Sequence, residues 1–450
     1  MSASNLKNSP AATAAAKAAL AKAMSEEDVE KLDKNDPWIS IELARRRISR
    51  CLAPTPMMKG RPIPGSSVRT FFKCDQMRRT GAYKERGGLN ALMSLTPEEA
   101  KKGVVAASAG NHAQALAYHG GKLGIPVTVV MPTNAPIVKV ENCRGFGATI
   151  VQHGKDFAAA KDEAMRLCQE KGLKYINGYD HPQVIAGAGT CGLEILDQLP
   201  GVDVIIVPVG GGGLLAGISL AVKRLNPRVR VIGVESERCP DVTCALKAGK
   251  PIYTPVGAGG TIADGLAVNV VGSNALEIIR KYVDEVITVP ESFIARGILH
   301  MLEVEKMLVE GGGATGLAAI LSGRLEKQLQ GKKVVTVVTG GNIDITLLGR
   351  IISQGLYSSG RLHKFDVAIS NRVGGIAQFT GCLSKTGASV KYISQETLPV
   401  GDVYVTTLHM VVETTSTEHY ERIVKEMGEK GFVLKTVGGD TFADVDLSKL

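Results

Sequence analysis

Aromatic side chains are scarce in this chain of 450 residues, because Phe, Trp and Tyr together make up 4% of it and only one Trp is present. Proteins that bind single-stranded nucleic acid stack the bases on aromatic rings, so the composition argues against a nucleic-acid partner. The eight cysteines form no CxxC pair, and the eight histidines show no HExxH or comparable spacing of metal ligands. The sequence therefore predicts reduced thiols and contains no recognisable zinc motif.

Long apolar segments are also missing. The uncharged stretch 204–222 contains five glycines and Pro208, which fits a buried strand, a turn and a helix better than a membrane span. We predict no membrane segment, no secretory signal and a cytoplasmic location. Residues 1–35 have no acidic residue before Glu26 and no Arg, and they are predicted to form a flexible leader. A mitochondrial transit peptide is the alternative, although such peptides are rich in Arg.

Strand-like runs rich in β-branched residues alternate with helical stretches over most of the chain. These runs are 126–131, 148–151, 204–209, 230–234 and 334–338. The alternation predicts a doubly wound parallel α/β sheet, in which ligands bind beyond the carboxyl ends of the strands.

The pattern changes near 358–361. From His363 onward the order strand, helix, strand, strand, helix, strand is typical of a ferredoxin-like α+β unit. The six elements are predicted at 365–370, 376–386, 389–395, 403–413, 417–430 and 432–436.

Lys84 lies in the run 79–87, where small turn-forming residues precede it and a helix-compatible stretch follows it. This pattern predicts a lysine amine at a loop-to-helix junction. A desolvated lysine in such a position can lose its proton and attack a carbonyl group. The alternative is an ordinary solvated charge.

A polar turn follows the apolar run 104–107 and precedes an Ala-rich helical stretch. The turn consists of Ser108, Ala109, Gly110, Asn111 and His112. Backbone N–H groups at such a helix N-terminus predict a site for a carboxylate. An ordinary strand-to-helix turn is the alternative.

Four consecutive glycines follow the run 204–209. The turn consists of Gly210, Gly211, Gly212, Gly213 and Leu214. Without Cβ atoms, successive N–H groups can converge on a phosphate at the start of a helix. The spacing matches neither the dinucleotide-binding fingerprint nor the P-loop.

Thr339 ends the last strand-like run and is placed to present a hydroxyl group to a pyridine nitrogen. A carbonyl-reactive lysine, a carboxylate turn and a cradle for one phosphate together match a single cofactor, pyridoxal 5′-phosphate (PLP).

In this order the four motifs resemble the fold-type-II PLP enzymes, and among them the threonine/serine dehydratases (threonine ammonia-lyases), over about residues 40–355. The resemblance implies two parallel-sheet lobes, the smaller inserted at about 85–185. It also implies a lyase of amino-acid metabolism that releases ammonia from L-threonine and L-serine.

The same resemblance implies the roles of individual residues. Lys84 binds the cofactor covalently with Tyr83 beside it, and Asn111 bonds the phenolic oxygen of the cofactor. The turn 210–214 holds the phosphate, and the turn 108–112 binds the substrate carboxylate. Thr339 stands where the family usually has Ser or Cys, so the hydroxyl group is retained.

Serine racemase is a close relative with a different reaction. The racemase has the run Ser-Ser-Gly-Asn-His, whose second serine supplies a proton on the opposite face of the substrate. This chain has Ala109 at that position, which favours elimination over racemisation. Other fold-type-II lyases and synthases are further alternatives, whereas a non-catalytic amino-acid sensor would have no use for Lys84.

Glu235, Cys239 and Asp241 resemble the cation loop of the racemase and of some dehydratases. The resemblance implies that the two carboxylates and the carbonyl group of Cys239 coordinate Mg²⁺ or another hard cation. Acidic residues in an exposed loop are the alternative.

The segments 371–376 and 387–390 resemble an ACT regulatory domain, which we predict at 362–440 after a catalytic domain at 36–357. The resemblance implies allosteric regulation by a small amino-acid or nucleotide effector at the first strand-to-helix turn. Val373 replaces the usual proline there. A structural or dimerising role is the alternative. Because relatives assemble as dimers or tetramers, a homodimer or homotetramer is expected.

Overall fold

A computed structural model describes residues 36–135, 137–396 and 403–437. The predicted leader at 1–35 and the end of the predicted C-terminal domain lie outside the described residues. The strands are β1 (Met57–Lys59), β2 (Arg69–Cys74), β3 (Val104–Ala107), β4 (Val127–Met131), β5 (Thr149–Gln152), β6 (Lys174–Tyr175), β7 (Val204–Pro208), β8 (Arg230–Ser236), β9 (Glu285–Val289), β10 (Lys333–Val338), β11 (Leu362–Ser370), β12 (Ser389–Gln395), β13 (Val405–Glu413) and β14 (Leu434–Thr436). The helices are α1 (Pro37–Ile48), α2 (Lys84–Leu92), α3 (Pro97–Lys102), α4 (Asn111–Leu123), α5 (Ile137–Gly145), α6 (Phe157–Lys171), α7 (Pro182–Gln198), α8 (Gly213–Leu225), α9 (Asp241–Ala248), α10 (Ser273–Tyr282), α11 (Glu291–Glu303), α12 (Gly311–Leu321), α13 (Glu326–Leu329), α14 (Ile345–Ser358), α15 (Gly375–Ser384) and α16 (Thr417–Glu429). Short 3₁₀ turns occupy Asp75–Met77 and Asp264–Leu266.

The chain divides into two compact units. The first extends to Ile294 and includes His300–Asp344, and the second takes Ala295–Leu299 and continues from Ile345. The division therefore falls before α14, whereas the sequence indicated a boundary between 357 and 362. Close packing within the second unit explains the difference, because a Cβ atom at Gly355 of α14 would lie 3.0 Å from the carbonyl oxygen of Ala295.

The larger sheet of the first unit has the order β1-β2-β10-β7-β8-β9. Its neighbouring strands are parallel except for β1 and β2. Side chains of β7 alternate between the two faces: Ile205 and Val207 pack with α7 and α8, whereas Ile206 lies on the side of Gly316 in α12. Helices on both faces confirm the predicted doubly wound α/β sheet.

A smaller sheet with the order β5-β4-β3-β6 is parallel throughout. It lies within the predicted inserted lobe. Alternate residues of β3 enter two different cores, Val104 and Ala106 on one face and Val105 and Ala107 on the other. A strand buried on both faces needs an unbroken apolar run, which explains the sequence Val-Val-Ala-Ala. The two lobes that the resemblance implied are therefore present.

The second unit contains an antiparallel sheet with the order β12-β13-β11-β14. Phe365, Val367 and Ile369 of β11 form one buried face, and they pack with residues of α15 and α16 such as Phe379 and Ile423. The element order and the strand order confirm the predicted ferredoxin-like unit.

The eight cysteines are free thiols. Burial raises the pKa of Cys143, Cys191 and Cys239 to about 12, so these thiols stay protonated at neutral pH. No helix of the described ranges is long and apolar enough to cross a membrane.

Candidate active site

Loops that follow β3, β7 and β10 meet at a cavity of about 360 Å³. Its lining includes Lys84, the turn 108–112, the turn 210–214 and Thr339. Because parallel strands point the same way, their carboxyl ends bring these distant segments together. The cavity therefore combines the four motifs that the sequence singled out.

Lys84 is the first residue of α2 and is half-buried. Its Nζ atom donates a hydrogen bond of 2.5 Å to the carbonyl oxygen of Gly178 and lies 5.1 Å from the centre of the Tyr83 ring. The backbone N–H of Tyr83 donates to the carbonyl oxygen of Thr339 over 2.9 Å. This bond ties the lysine to the end of β10 at the loop-to-helix junction that the sequence predicted.

Gly81 shapes the turn before Lys84. It has a φ of +73°, in the left-handed region that favours glycine. A Cβ atom there would also collide with the side chain of Asn342. Because Gly81 has no side chain, Asn342 can approach the turn closely, and its Nδ2 atom donates to the carbonyl oxygen of Thr80 over 2.7 Å.

Asn111 begins α4, and its side chain is held from two sides. Its Nδ2 atom donates to Glu310 Oε1 over 2.8 Å, and its Oδ1 atom accepts from Asn342 Nδ2 over 2.8 Å. Gly110, the N-cap residue, offers no side chain to the first N–H groups of α4. The first N–H groups of this helix are therefore available to an anion.

His112 also lines the cavity but is 4% exposed. Its Nε2 atom lies 3.0 Å from the carbonyl oxygen of Ile176. Burial, together with the nearby charge of Lys84, lowers the pKa of His112 to about 3, so the ring is neutral. A Cβ atom at Gly178 would lie 2.8 Å from this ring, so the neutral imidazole packs behind the residue that accepts from Lys84.

The four glycines between β7 and α8 leave no room for side chains. Gly212 has a φ of +91° and is the N-cap of α8, without a side-chain hydrogen bond to the helix. A Cβ atom at Gly211 would collide with the ring of Tyr179, and one at Gly213 would collide with the carbonyl oxygen of Tyr179. The N–H groups at the start of α8 thus remain available to an anion.

Glu310 and the segment 177–179 are parts of the cavity that sequence reasoning missed. Glu310 precedes α12 and is 7% exposed. Burial and the nearby charge of Asp264 raise the pKa of Glu310 to about 7. The sequence signal for Glu310 is an acidic residue directly before three glycines, Gly311 to Gly313.

Glu235 and Asp241, which were predicted to bind a cation, are both fully buried. Glu235 accepts hydrogen bonds from the N–H groups of Val242 and Thr243 and from the Thr243 hydroxyl at 2.6, 3.0 and 2.6 Å, so it stabilises the start of α9. Among the described residues, no hydrogen bond of ordinary geometry reaches either carboxylate oxygen of Asp241, although the backbone N–H groups of Val268 and Asn269 lie near enough to oppose the rise of its pKa. Burial raises the pKa of Glu235 to about 7 and that of Asp241 to about 6.

Cys239 separates these carboxylates and is also buried. No cluster of three or more His, Cys, Asp or Glu side chains suited to a metal ion occurs in 36–135, 137–396 or 403–437. The predicted site differs from such a cluster, because it uses two carboxylates and a backbone carbonyl.

The lining of the cavity has the chemistry that PLP requires: an amine, an uncapped helix start within a glycine turn and a buried hydroxyl group. A sequence model described as "Pyridoxal-phosphate dependent enzyme" matches residues 48–340. The chain belongs to this family. Its two parallel-sheet lobes are thus those of a PLP-dependent enzyme.

Several proteins are similar to this chain in sequence or in structure. The L-threonine ammonia-lyase of Thermotoga maritima is 40% identical over 372 residues, which cover 82% of this chain and 91% of that protein. The processed form of threonine deaminase isoform 2 from Solanum lycopersicum superposes with a TM-score of 0.67 at 29% identity, over 74% of this chain and 89% of that one. Maize serine racemase superposes with a TM-score of 0.66 at 36% identity, over 71% of this chain and 98% of that one.

Proposed function

We propose that this protein is an ammonia-lyase that converts L-threonine to 2-oxobutanoate and ammonia, and L-serine to pyruvate and ammonia. The position of the Lys84 amine carries the proposal, because it lies in the cavity with the turn 108–112. An amine there can accept the α-proton of an amino acid whose carboxylate is bound at the start of α4. The Thermotoga maritima relative bears the name of this activity.

PLP bound in this cavity supplies an aldehyde for the substrate amine and an electron sink for the α-carbon. Lys84 and Tyr83 would hold the aldehyde end, and Asn111 the phenolic oxygen. The turn 210–214 would hold the phosphate and Thr339 the ring nitrogen. The closely packed glycines and the uncapped start of α8 support the phosphate assignment.

The residues of the cavity can then eliminate the β-hydroxyl group of the amino-acid substrate. Lys84 takes the α-proton, and the bond between the β-carbon and its hydroxyl group breaks. The hydroxyl group takes up one proton and leaves as water, which balances the α-proton that Lys84 accepts. The enamine that is released adds water and divides into the 2-oxo acid and ammonia.

Serine racemisation is the second candidate, because the maize racemase is similar in structure. A racemase needs a second proton donor on the face of the substrate opposite Lys84. Ala109 lines the cavity with a methyl group instead of a hydroxyl group, which supports elimination as the main reaction.

The substitution Ala109→Ser tests this assignment. We expect the unaltered protein to release 2-oxobutanoate from L-threonine and pyruvate from L-serine, with little D-serine. The added hydroxyl group is expected to increase D-serine formation roughly tenfold or more, because it can donate a proton on the second face. Chiral chromatography and a 2-oxo-acid assay measure the two products.

Ala248→Ser, an exposed substitution at the end of α9, is the matched control and should change neither rate. If the unaltered protein racemises serine as fast as it deaminates threonine, the interpretation of Ala109 is wrong. If no 2-oxo acid is released from either L-amino acid, the proposed lyase activity is wrong.

We also propose that Glu235, the carbonyl of Cys239 and Asp241 bind Mg²⁺ or a similar hard cation. The support is the buried carboxylate of Asp241, which no hydrogen bond of ordinary geometry satisfies among the described residues, although the N–H groups of Val268 and Asn269 lie near it. A buried carboxylate without a partner is costly, and oxygen ligands are those that Mg²⁺ prefers.

Magnesium is therefore expected to raise the melting temperature of the protein by roughly 2–4 °C. Asp241→Asn should abolish this increase because it removes a charged ligand, whereas the exposed Asp162→Asn should keep it. Differential scanning fluorimetry after exhaustive chelation, with and without added Mg²⁺, measures the effect. An equal increase in both variants would contradict the site.

We further propose that the ferredoxin-like unit is an ACT-like regulatory domain that binds a small amino-acid or nucleotide effector at 371–375. Gly374 caps α15 with a φ of +91° and no side-chain hydrogen bond, which leaves the first N–H groups open to an anionic group. The Arg372 guanidinium lies 4.7 Å from the centre of the Tyr404 ring beside this turn. Rates of 2-oxo-acid release across amino acids and nucleotides test the regulation.

We propose a homodimer or homotetramer in the cytoplasm as the working form. Free thiols at all eight cysteines suit a reducing compartment. Analytical ultracentrifugation of the purified protein measures the oligomeric state.

A further inference from the structure

Glu310 is a buried carboxylate whose side chain is directed at the cavity and not at its own helix. The residue precedes α12 as the N-cap, but its side chain makes no capping hydrogen bond. Its Oε1 atom accepts from Asn111 Nδ2 over 2.8 Å. Burial of a carboxylate costs free energy, and helix capping does not offset that cost here.

The amide of Asn111 is fixed in one orientation by two neighbours, one that accepts a hydrogen bond and one that donates. Glu310 accepts one of its N–H groups, and Asn342 donates to its oxygen over 2.8 Å. Asn342 also donates to the carbonyl oxygen of Thr80, so it is itself held in place. With one amide hydrogen bonded to Glu310, the second hydrogen of Asn111 Nδ2 is left for a ligand in the cavity.

We propose that Glu310 is a positioning residue that orients the amide of Asn111 so that its remaining N–H donates to the phenolic oxygen of the cofactor. The inference rests on the proposed function, which assigns Asn111 to that oxygen. Glu310 itself touches Asn111 and is not assigned a contact with the cofactor.

The orientation depends on the protonation state of Glu310. Its pKa of about 7 reflects burial and the charge of Asp264, opposed by Asn111 and by the charge of Lys139. Above this pH the ionised carboxylate only accepts hydrogen bonds, which holds Asn111 as described. Below this pH the protonated carboxyl group of Glu310 can also donate a hydrogen bond, so its preference for the amide nitrogen of Asn111 over the amide oxygen weakens.

Two variants of Glu310 distinguish its effect on the orientation of the Asn111 amide from the effect of its negative charge. Glu310→Ala removes the acceptor and is expected to weaken PLP binding about tenfold, the loss of a hydrogen bond to a charged group. Glu310→Gln keeps an acceptor oxygen but cannot ionise, so PLP affinity should stay within about threefold. We expect the visible absorbance of bound PLP in the unaltered protein to change with pH near 7 as Glu310 ionises, and this transition should be absent in Glu310→Gln.

Asp264→Asn supplies a directional test. Removing the negative charge that raises the pKa of Glu310 should move the absorbance transition to lower pH while PLP affinity stays the same. Equilibrium dialysis against PLP and absorbance titration of the holoprotein measure both properties, and circular dichroism verifies folding. Asn342→Ala removes the second support of the Asn111 amide, so it should also weaken PLP binding if Glu310→Ala does not fold.

Both readouts are independent of turnover, so they separate this inference from the proposed function. If PLP affinity in Glu310→Ala or, failing that, Asn342→Ala equals that of the unaltered protein, the positioning role is overturned. A transition that persists in Glu310→Gln overturns the role of its ionisation. A protein that binds PLP with these effects but releases no 2-oxo acid would contradict the lyase activity alone.

Discussion

Replacing Lys84 with alanine is expected to lower the rate of 2-oxo-acid release from L-threonine by at least about a thousandfold. The substitution removes both the amine that bonds the cofactor and the base that takes the α-proton, and a positioned base alone contributes about 10²–10⁴ in rate. The adduct that borohydride traps in the unaltered protein should also disappear from the peptide containing residue 84. Steady-state assays and mass spectrometry of the reduced protein measure the two effects.

Lys101→Ala is the matched control, because Lys101 is exposed in the last turn of α3. It should keep both the rate and the adduct. An adduct on another lysine, or none in the unaltered holoprotein, would contradict the assignment of Lys84. Retained activity in Lys84→Ala would contradict its role as a base.

Replacing Arg86 with methionine is expected to lower the free energy of unfolding by about 3–5 kcal/mol. Arg86 is fully buried, and its guanidinium bonds both oxygens of Asp75 at 2.7 and 2.8 Å and both oxygens of Glu194 at 2.6 and 2.7 Å. Methionine would fill much of the volume but would leave the buried carboxylate of Asp75 without its cation.

The Arg86 charge also sets the titration of Asp75. Burial by itself would raise the pKa of Asp75, but the charge and hydrogen bonds of Arg86, together with the charges of Arg78 and Lys73, outweigh it and hold this pKa well below its usual value. The pair therefore stabilises the fold above the unfolded pKa of about 4. This contribution is lost as the pH falls toward the depressed native pKa.

Urea denaturation at pH 7 measures the effect of Arg86→Met. Arg144→Met is the control: Arg144 pairs with Glu141 on the exposed surface of α5, where such a pair is worth at most about 1 kcal/mol. Arg86→Lys should give an intermediate loss, because one ammonium group cannot reproduce two bidentate contacts. Equal midpoints for Arg86→Met and Arg144→Met would show that the buried network does not stabilise the fold.

Local signals were enough to predict the strands and the turns that carry the motifs. The run 204–209 is apolar and ends in glycine, and the strand observed is Val204–Pro208. Lys84 was expected at a loop-to-helix junction and is the first residue of α2. In both cases the residues that decide the structure are neighbours in the chain.

Features that depend on distant segments were not predictable in this way. No local signal marks Arg86 and Lys73 as buried, yet both are fully buried and pair with Glu194 of α7, which is distant in the chain. Glu310 has a role in the cavity only because α4 brings Asn111 to it. The helix α14 looked like the end of the first unit, although its packing partners lie at 295–299.

The place of β10 within the larger sheet bears on how the chain folds during synthesis. β10 pairs with β2 on one side and with β7 on the other. A nascent chain that ends before Lys333 therefore has two unpaired strand edges flanking an empty position. Such edges invite pairing with other chains. The polypeptide must thus be extended through about three quarters of its 450 residues before the sheet can close.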